Sequence, residues 1–188
     1  MRFIYTITLA SLIFFFGCDQ GTDITSPGEI DNHSYQFIKL PKRSGMSVEN
    51  TFSVTKEIDG MKGGEIKLKG KYVAEDGHTV KIDVKLKVKS KSFQGKANIT
   101  MTVDDEFAAA SFTPAMVFNK PLELDMKFEG INLGNLDPTD GVYEFAFYDE
   151  DGTTDLVDYN AIHVKESKGK IWVNKAKVYH FSRYGFVN

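Results

Sequence analysis

From Val80 to Val88 the chain alternates apolar and polar residues without a break. Val80, Ile82, Val84, Leu86 and Val88 fall on one side of an extended chain, and Lys81, Asp83, Lys85 and Lys87 on the other. A period of two predicts a strand with one face in a core and one in water. Ile66, Leu68 and Tyr72 alternate with Lys67, Lys69 and Lys71 in the same way, and Glu75-Asp76-Gly77 between the two runs supplies an Asp-Gly hairpin turn. Ala97, Ile99, Met101 and Val103 continue the pattern until Asp104-Asp105.

Further strands are predicted over 108–112, 122–128, 142–148, 156–164, 171–178 and 181–187. They are separated by Pro114, Pro121, Gly130, the stretch Pro138 to Gly141, Asp151-Gly152 and Lys168-Gly169. Trp172 is expected as a core or sheet-packing anchor. Tyr35 to Leu40 reads as a first short strand ended by Pro41. After residue 17 no segment keeps a helical period for three turns. Many short strands with regular turns predict an all-β, antiparallel β-sandwich over residues 51–188.

The N-terminus follows another pattern. Met1-Arg2 is a short basic start, Phe3 to Phe16 a mostly apolar run, and Gly17-Cys18 closes it. The run is shorter than the roughly 20 residues a spanning helix needs. This order predicts a lipoprotein signal peptide over residues 1–17 and a covalent lipid on Cys18, the single cysteine. Phe15 and Phe16 stand where leucine and a small residue are usual, so an ordinary secretory signal with an unmodified thiol is the competing reading. Residues 18–50 are expected to form a lipidated N-terminus and flexible tether, rich in Gly, Ser and Pro at its start. The expected location is the bacterial cell envelope, with the membrane reached through the lipid anchor. Asp19 resembles the inner-membrane retention signal of enteric bacteria, which does not extend to all bacteria.

Charge is unevenly spread. Without the signal the chain carries 22 basic and 26 acidic residues, a net of −4. Nucleic acid is therefore not an expected partner. Residues 62–96 nevertheless carry ten lysines against four carboxylates, and residues 103–160 carry fourteen carboxylates against Lys120 and Lys127. These blocks either pair within the fold or face a partner. The lysine rows suit an anionic glycan, or they keep an outward face charged against edge-to-edge association.

Catalytic chemistry is sparse. His33, His78, His163 and His180 show no metal-ligand spacing, and there is no Gly-x-Ser-x-Gly elbow or phosphate loop. No metal and no cofactor besides the Cys18 lipid is expected. Asp149 to Asp155 has the acidic look of a calcium loop but lacks its spacing, and reads as a hairpin tip. At His180-Phe181-Ser182, a strained peptide bond would let Ser182 attack the carbonyl of Phe181 with His180 as base. The alternative is a strand with Phe181 in the core and Ser182 at the surface.

Ser92 to Thr100 resembles the step into a strand of the ZU-five domain, the β-sandwich of zonula-occludens proteins, ankyrins and netrin receptors. Phe112-Thr113-Pro114 with Phe118 to Leu124 resembles that domain's P-x-G-x-x-F-x-x-P-V-x-L strand. The closing His180 to Gly185 is similar to the last strand of bacterial exported modules of this type. The resemblance covers about residues 51–130 and the last strands. It implies an Ig-like sandwich acting as a non-enzymatic binding or structural module, with an envelope protein as partner beside the anionic glycan that the lysine rows suit. Some eukaryotic relatives cleave themselves at a His-Phe-Ser sequence, which implies self-processing at Ser182 as the alternative. A third expectation is a carrier of an apolar ligand, since 15 phenylalanines and 8 tyrosines can line a cavity.

Overall fold

The alternation seen in the sequence becomes a wall of the core. In a computed structural model that describes residues 35–45, 52–134, 143–148 and 153–188, Val80, Ile82, Val84, Leu86 and Val88 are all at most 3% exposed. Eleven strands are present among the described residues: β1 (Ser53–Asp59), β2 (Gly64–Val73), β3 (Thr79–Val88), β4 (Lys96–Val103), β5 (Ala109–Thr113), β6 (Val117–Glu129), β7 (Glu144–Tyr148), β8 (Thr154–Leu156), β9 (Ala161–Lys165), β10 (Lys170–His180) and β11 (Arg183–Val187). They form a six-stranded sheet in the order β1-β4-β5-β11-β7-β8 and a five-stranded sheet in the order β2-β3-β6-β10-β9. Every pairing between these strands is antiparallel.

The inner faces of both sheets share one hydrophobic core. Phe128 of β6 meets Phe186 of β11 edge-on at 6.3 Å, so aromatic rings join the two layers. Phe186 also contacts Phe145 at 5.1 Å, and Phe181 stacks on Phe112 at 5.4 Å. Burying each such ring contributes about 1.5–3 kcal/mol. The hairpin between β2 and β3 closes where the Gly77 N–H donates to the Ala74 carbonyl at 2.9 Å and Gly77 takes φ +87°. That is the left-handed position the Asp-Gly pair supplies.

Four details differ from the sequence reading. Residues 156–164 are not one strand: β8 lies in one sheet and β9 in the other. The crossing is held by Val157 N–H to Phe145, Lys177 N–H to Asp158 and Asn160 N–H to Asn174. Pro121 does not end a strand, because β6 runs through it. It lies beyond the β3 pairing, which stops at Glu123, and at the register shift against β10. No ladder donor is needed there. Trp172 is not in the core; Ile171 and Val173 point inward and Trp172 stands half-buried on the outer face.

The fourth difference concerns residues 35–45. They form isolated bridges, Phe37 with Val187, Lys39 with Phe107 and Arg43 with Ala74, rather than a regular strand. The stretch lays Ile38 and Leu40 into the core. Phe37 approaches Gly185, where any added Cβ would lie 2.8 Å from its ring. The Arg183 guanidinium sits over the rings of Phe37 and Phe107 at 5.1 and 4.9 Å and pairs with Asp104 at 2.6 Å. Part of the span expected as tether thus packs on the sandwich. Residues 1–34 lie outside the described residues, and with them the expected signal, Cys18 and His33.

Candidate functional site

The outer face of the five-stranded sheet carries the densest polar chemistry in the described structure. Register places its side chains in cross-strand rows. One row runs Lys71, Lys81, Glu129, Lys170, Lys165, and the next Lys69, Asp83, Lys127, Trp172, His163. A third runs Lys67, Lys85, Asp125, and a fourth Glu65, Lys87, Glu123, Lys177. These rows hold ten lysines and five carboxylates, a local net of +5. The basic and acidic blocks of the sequence therefore meet in part within the fold, where β6 inserts its carboxylates between the lysines of β3 and β10.

Ion pairs run both along the rows and between them. Lys85 lies 2.5 Å from Asp125, Lys69 3.2 Å from Asp83, Lys170 2.9 Å from Glu129 and Lys67 2.7 Å from Glu65. Glu123 gathers Lys89 at 2.9 Å, Lys177 at 3.6 Å and Lys87 at 3.7 Å. The hydrogen bond from Lys89, then the charges of Lys89, Lys177 and Lys87, hold the Glu123 carboxyl below its ordinary value against the opposing effect of burial. Glu129 is lowered in the same way, with Lys170 as the main cause. Lys85 is raised, first by its hydrogen bond to Asp125.

A bulge keeps the face continuous. Val173 pairs with Met126 but Ala176 with Leu124, so β10 carries one extra residue between them. Lys175 takes φ +54° there, and its N–H donates to the Asp125 carboxylate at 2.9 Å. The extra residue resets the alternation, so Lys177 points outward like Lys170 and Trp172 before it.

Two adjoining grooves run along this face. One, of 340 Å³, is lined by Lys69, Lys71, Lys81, Asp83, Lys127 and Glu129 together with Gly70 and Ile82. The other, of 360 Å³, shares Lys69, Asp83 and Lys127 and reaches Trp172 and Asn174. His163 stacks on Trp172 with centroids 4.6 Å apart and planes 14° from parallel. Lys170 and Lys165 lie 5.1 and 5.8 Å from the indole centroid. Sequence reading missed this indole platform, although the parity of Ile171 and Val173 already implies an outward Trp172.

His180-Phe181-Ser182 occupies the corner where the chain leaves β10 in one sheet and enters β11 in the other. Phe181 is 6% exposed, and its N–H donates to the Met116 carbonyl at 2.8 Å. The Ser182 hydroxyl donates to the Tyr148 carbonyl. The His180 ring packs edge-on against Phe147 at 4.7 Å. Among the described residues no hydrogen bond joins Ser182 to His180, so the two stand in one corner without forming a nucleophile–base pair.

The remaining candidates are dispersed. His78 pairs with Asp76 and lies 2.6 Å from the Gly130 carbonyl. Of the acidic stretch 149–155, residues 149–152 lie outside the described residues, and Asp155 belongs to β8. Among the described residues no group of three His, Cys, Asp or Glu is placed to hold a metal ion. No helix among them is long and apolar enough to cross a membrane. The stretches that suggested the ZU-five resemblance fall in the β3–β4 loop and β4, at the end of β5, in β6, and across the step from β10 to β11. Comparison with protein-family models, with curated proteins and with solved structures finds no match. The class defined is an all-β sandwich of two antiparallel sheets.

Proposed function

We propose that this chain is a lipid-anchored protein of the bacterial cell envelope that works as a non-enzymatic binding module through the outer face of its five-stranded sheet. The observation that carries this reading is the two-to-one excess of lysine over carboxylate in the cross-strand rows. Internal pairing alone needs no such excess, and a surplus of one sign on a grooved surface draws in a partner of the other sign. The apolar run ending at Gly17-Cys18 supports the anchor. The likeness of Ser92 to Thr100 and of Phe112 to Leu124 to ZU-five strands supports a role in interaction.

Two measurements test the proposal. After a wash in about 1 M salt, which screens the lysine face, Cys18→Ser is expected to move the protein from the membrane to the soluble fraction, and the wild type to stay and to carry an acyl mass. At low salt the released protein is expected to co-sediment with isolated envelopes, and Lys71→Glu with Lys81→Glu to abolish co-sedimentation. A serine variant that stays on the membrane while the wild type lacks acyl mass defeats the anchor. Undiminished sedimentation of the charge-reversed variant defeats the binding face.

A further inference from the structure

We infer that the paired grooves on the five-stranded sheet form a binding site for an anionic glycan, a polysaccharide bearing a carboxylate or phosphate on successive sugars. The inference rests on the binding-module reading above and names its ligand class. Three features of the face select this chemistry.

The first is charge. Lys69, Lys71, Lys81 and Lys127 line the 340 Å³ groove against only Asp83 and Glu129. Neighbouring positions on this lattice are roughly 5–7 Å apart, the spacing between strands and between alternate residues along one strand. A polymer with one negative charge per sugar meets several lysines at once.

The second is the carboxylates themselves. A site for bare phosphates would gain nothing from acids among its lysines. Sugar hydroxyls, in contrast, donate hydrogen bonds, and Asp83 and Glu129 are acceptors beside the cations. The half-buried acids thus favour a glycan over a lipid headgroup or a nucleic-acid backbone.

The third is Trp172. It lines the neighbouring 360 Å³ groove, while His163 stacks on the indole. An aromatic face beside polar groups suits the apolar face of a sugar ring, because the ring contributes contact area while its hydroxyls reach the rim.

The chain's single tryptophan makes the test direct, since indole emission reports this site alone. The full chain in non-ionic detergent is titrated with polygalacturonate, with neutral dextran of matched length, and with dihexanoyl phosphatidylglycerol below its micellar concentration. A saturable change in emission with polygalacturonate, weakened by added salt and absent with dextran, is expected. Lys81→Ala and Lys127→Ala are each expected to weaken binding about threefold to fivefold, as for the loss of one exposed ionic contact. Lys62→Ala, off this face, leaves binding unchanged. An equal response to the phospholipid transfers the site to a lipid headgroup and overturns the inference. So does an absent response, or one indifferent to Lys81 and Lys127. Binding to envelopes that persists without a polygalacturonate response overturns the glycan while leaving the binding module in place.

Discussion

The Tyr184 hydroxyl donates to the carbonyl of His180 at 2.6 Å, and so ties the start of β11 to the last residue of β10. The chain changes sheets between those two residues. A tyrosine reaching back a few residues at a sheet-to-sheet corner is a recurrent device of sandwiches. Here its ring also meets Phe112 at 6.1 Å, and Tyr184 is 1% exposed. The corner is therefore held by packing and by this hydrogen bond together with the one from the Phe181 N–H to Met116.

Tyr184→Phe isolates the hydrogen bond. The ring still fits, but the His180 carbonyl loses a donor. A loss of about 1–2 kcal/mol is expected in urea unfolding at unchanged m-value. Tyr184→Ala adds a cavity and is expected to cost about 3–5 kcal/mol. Equal losses in the two variants would show that the hydroxyl, not the ring, holds the corner.

The same corner bears on self-processing. Attack by Ser182 on the Phe181 carbonyl needs a base to take the hydroxyl proton. That proton is directed at the Tyr148 carbonyl, and the His180 ring is packed on Phe147. The purified protein is expected to stay intact through this bond, as read by mass under denaturing conditions. A missing mass matching residues 182–188 that disappears in Ser182→Ala would establish cleavage.

Much of the sandwich was legible because one face of each long strand is buried. Burial forces a strict alternation in β2, β3 and β4, and turn residues mark their ends. The split at Val157 was not legible, because Val157, Tyr159 and Ala161 alternate with Asp158 and Asn160 as a strand would while the chain crosses between sheets. Pro121 misled for a related reason: whether a proline breaks a strand depends on which neighbours need its donor, and that is set by partners far along the chain. The binding face shows the same division. Its lysines and acids were visible as blocks, but the pairing of Lys85 with Asp125 depends on the register of β3 against β6. The stack of Trp172 on His163 likewise depends on the pairing of β9 with β10. Local pattern states which side of a strand is wet; only register states what stands beside what.

Two neighbours on β3 test the alternation. Leu86 is fully buried, whereas the Lys87 side chain is 57% exposed. Leu86→Ala is expected to cost about 2–5 kcal/mol, and Lys87→Ala less than about 1 kcal/mol. The comparison is read from urea midpoints. Similar small effects at both sites would mean that β3 is not half-buried.

Glu123 sets the acid limit of the charged face. Its side chain is only 12% exposed, and the ammonium groups of Lys89, Lys177 and Lys87 lie 2.9, 3.6 and 3.7 Å from its carboxylate. Its folded value lies below the ordinary 4.5, chiefly through the Lys89 hydrogen bond. A carboxyl lowered by folding contributes stability that is fully present above its unfolded value and is lost as pH falls through the folded one. Glu129, lowered mainly by Lys170, acts in the same sense. Lys85, raised by Asp125, acts in the opposite one: its contribution is present below its unfolded value of 10.5 and fades as pH rises through the folded value. The face is thus most stabilising across the neutral range. Glu123→Gln keeps the shape and removes the charge. The variant is expected to be less stable than the wild type by about 1 kcal/mol near neutral pH. That difference should shrink as the wild type is acidified below the unfolded 4.5 and through its lowered folded value, where its own carboxylate is lost. Thermal unfolding at a series of pH values measures both. Salt at about 1 M is expected to narrow the neutral-pH gap by screening the lysines. A gap that stays constant down to acid pH would show that Glu123 acts through packing rather than charge, and would remove it from the account of how the lysine rows are held.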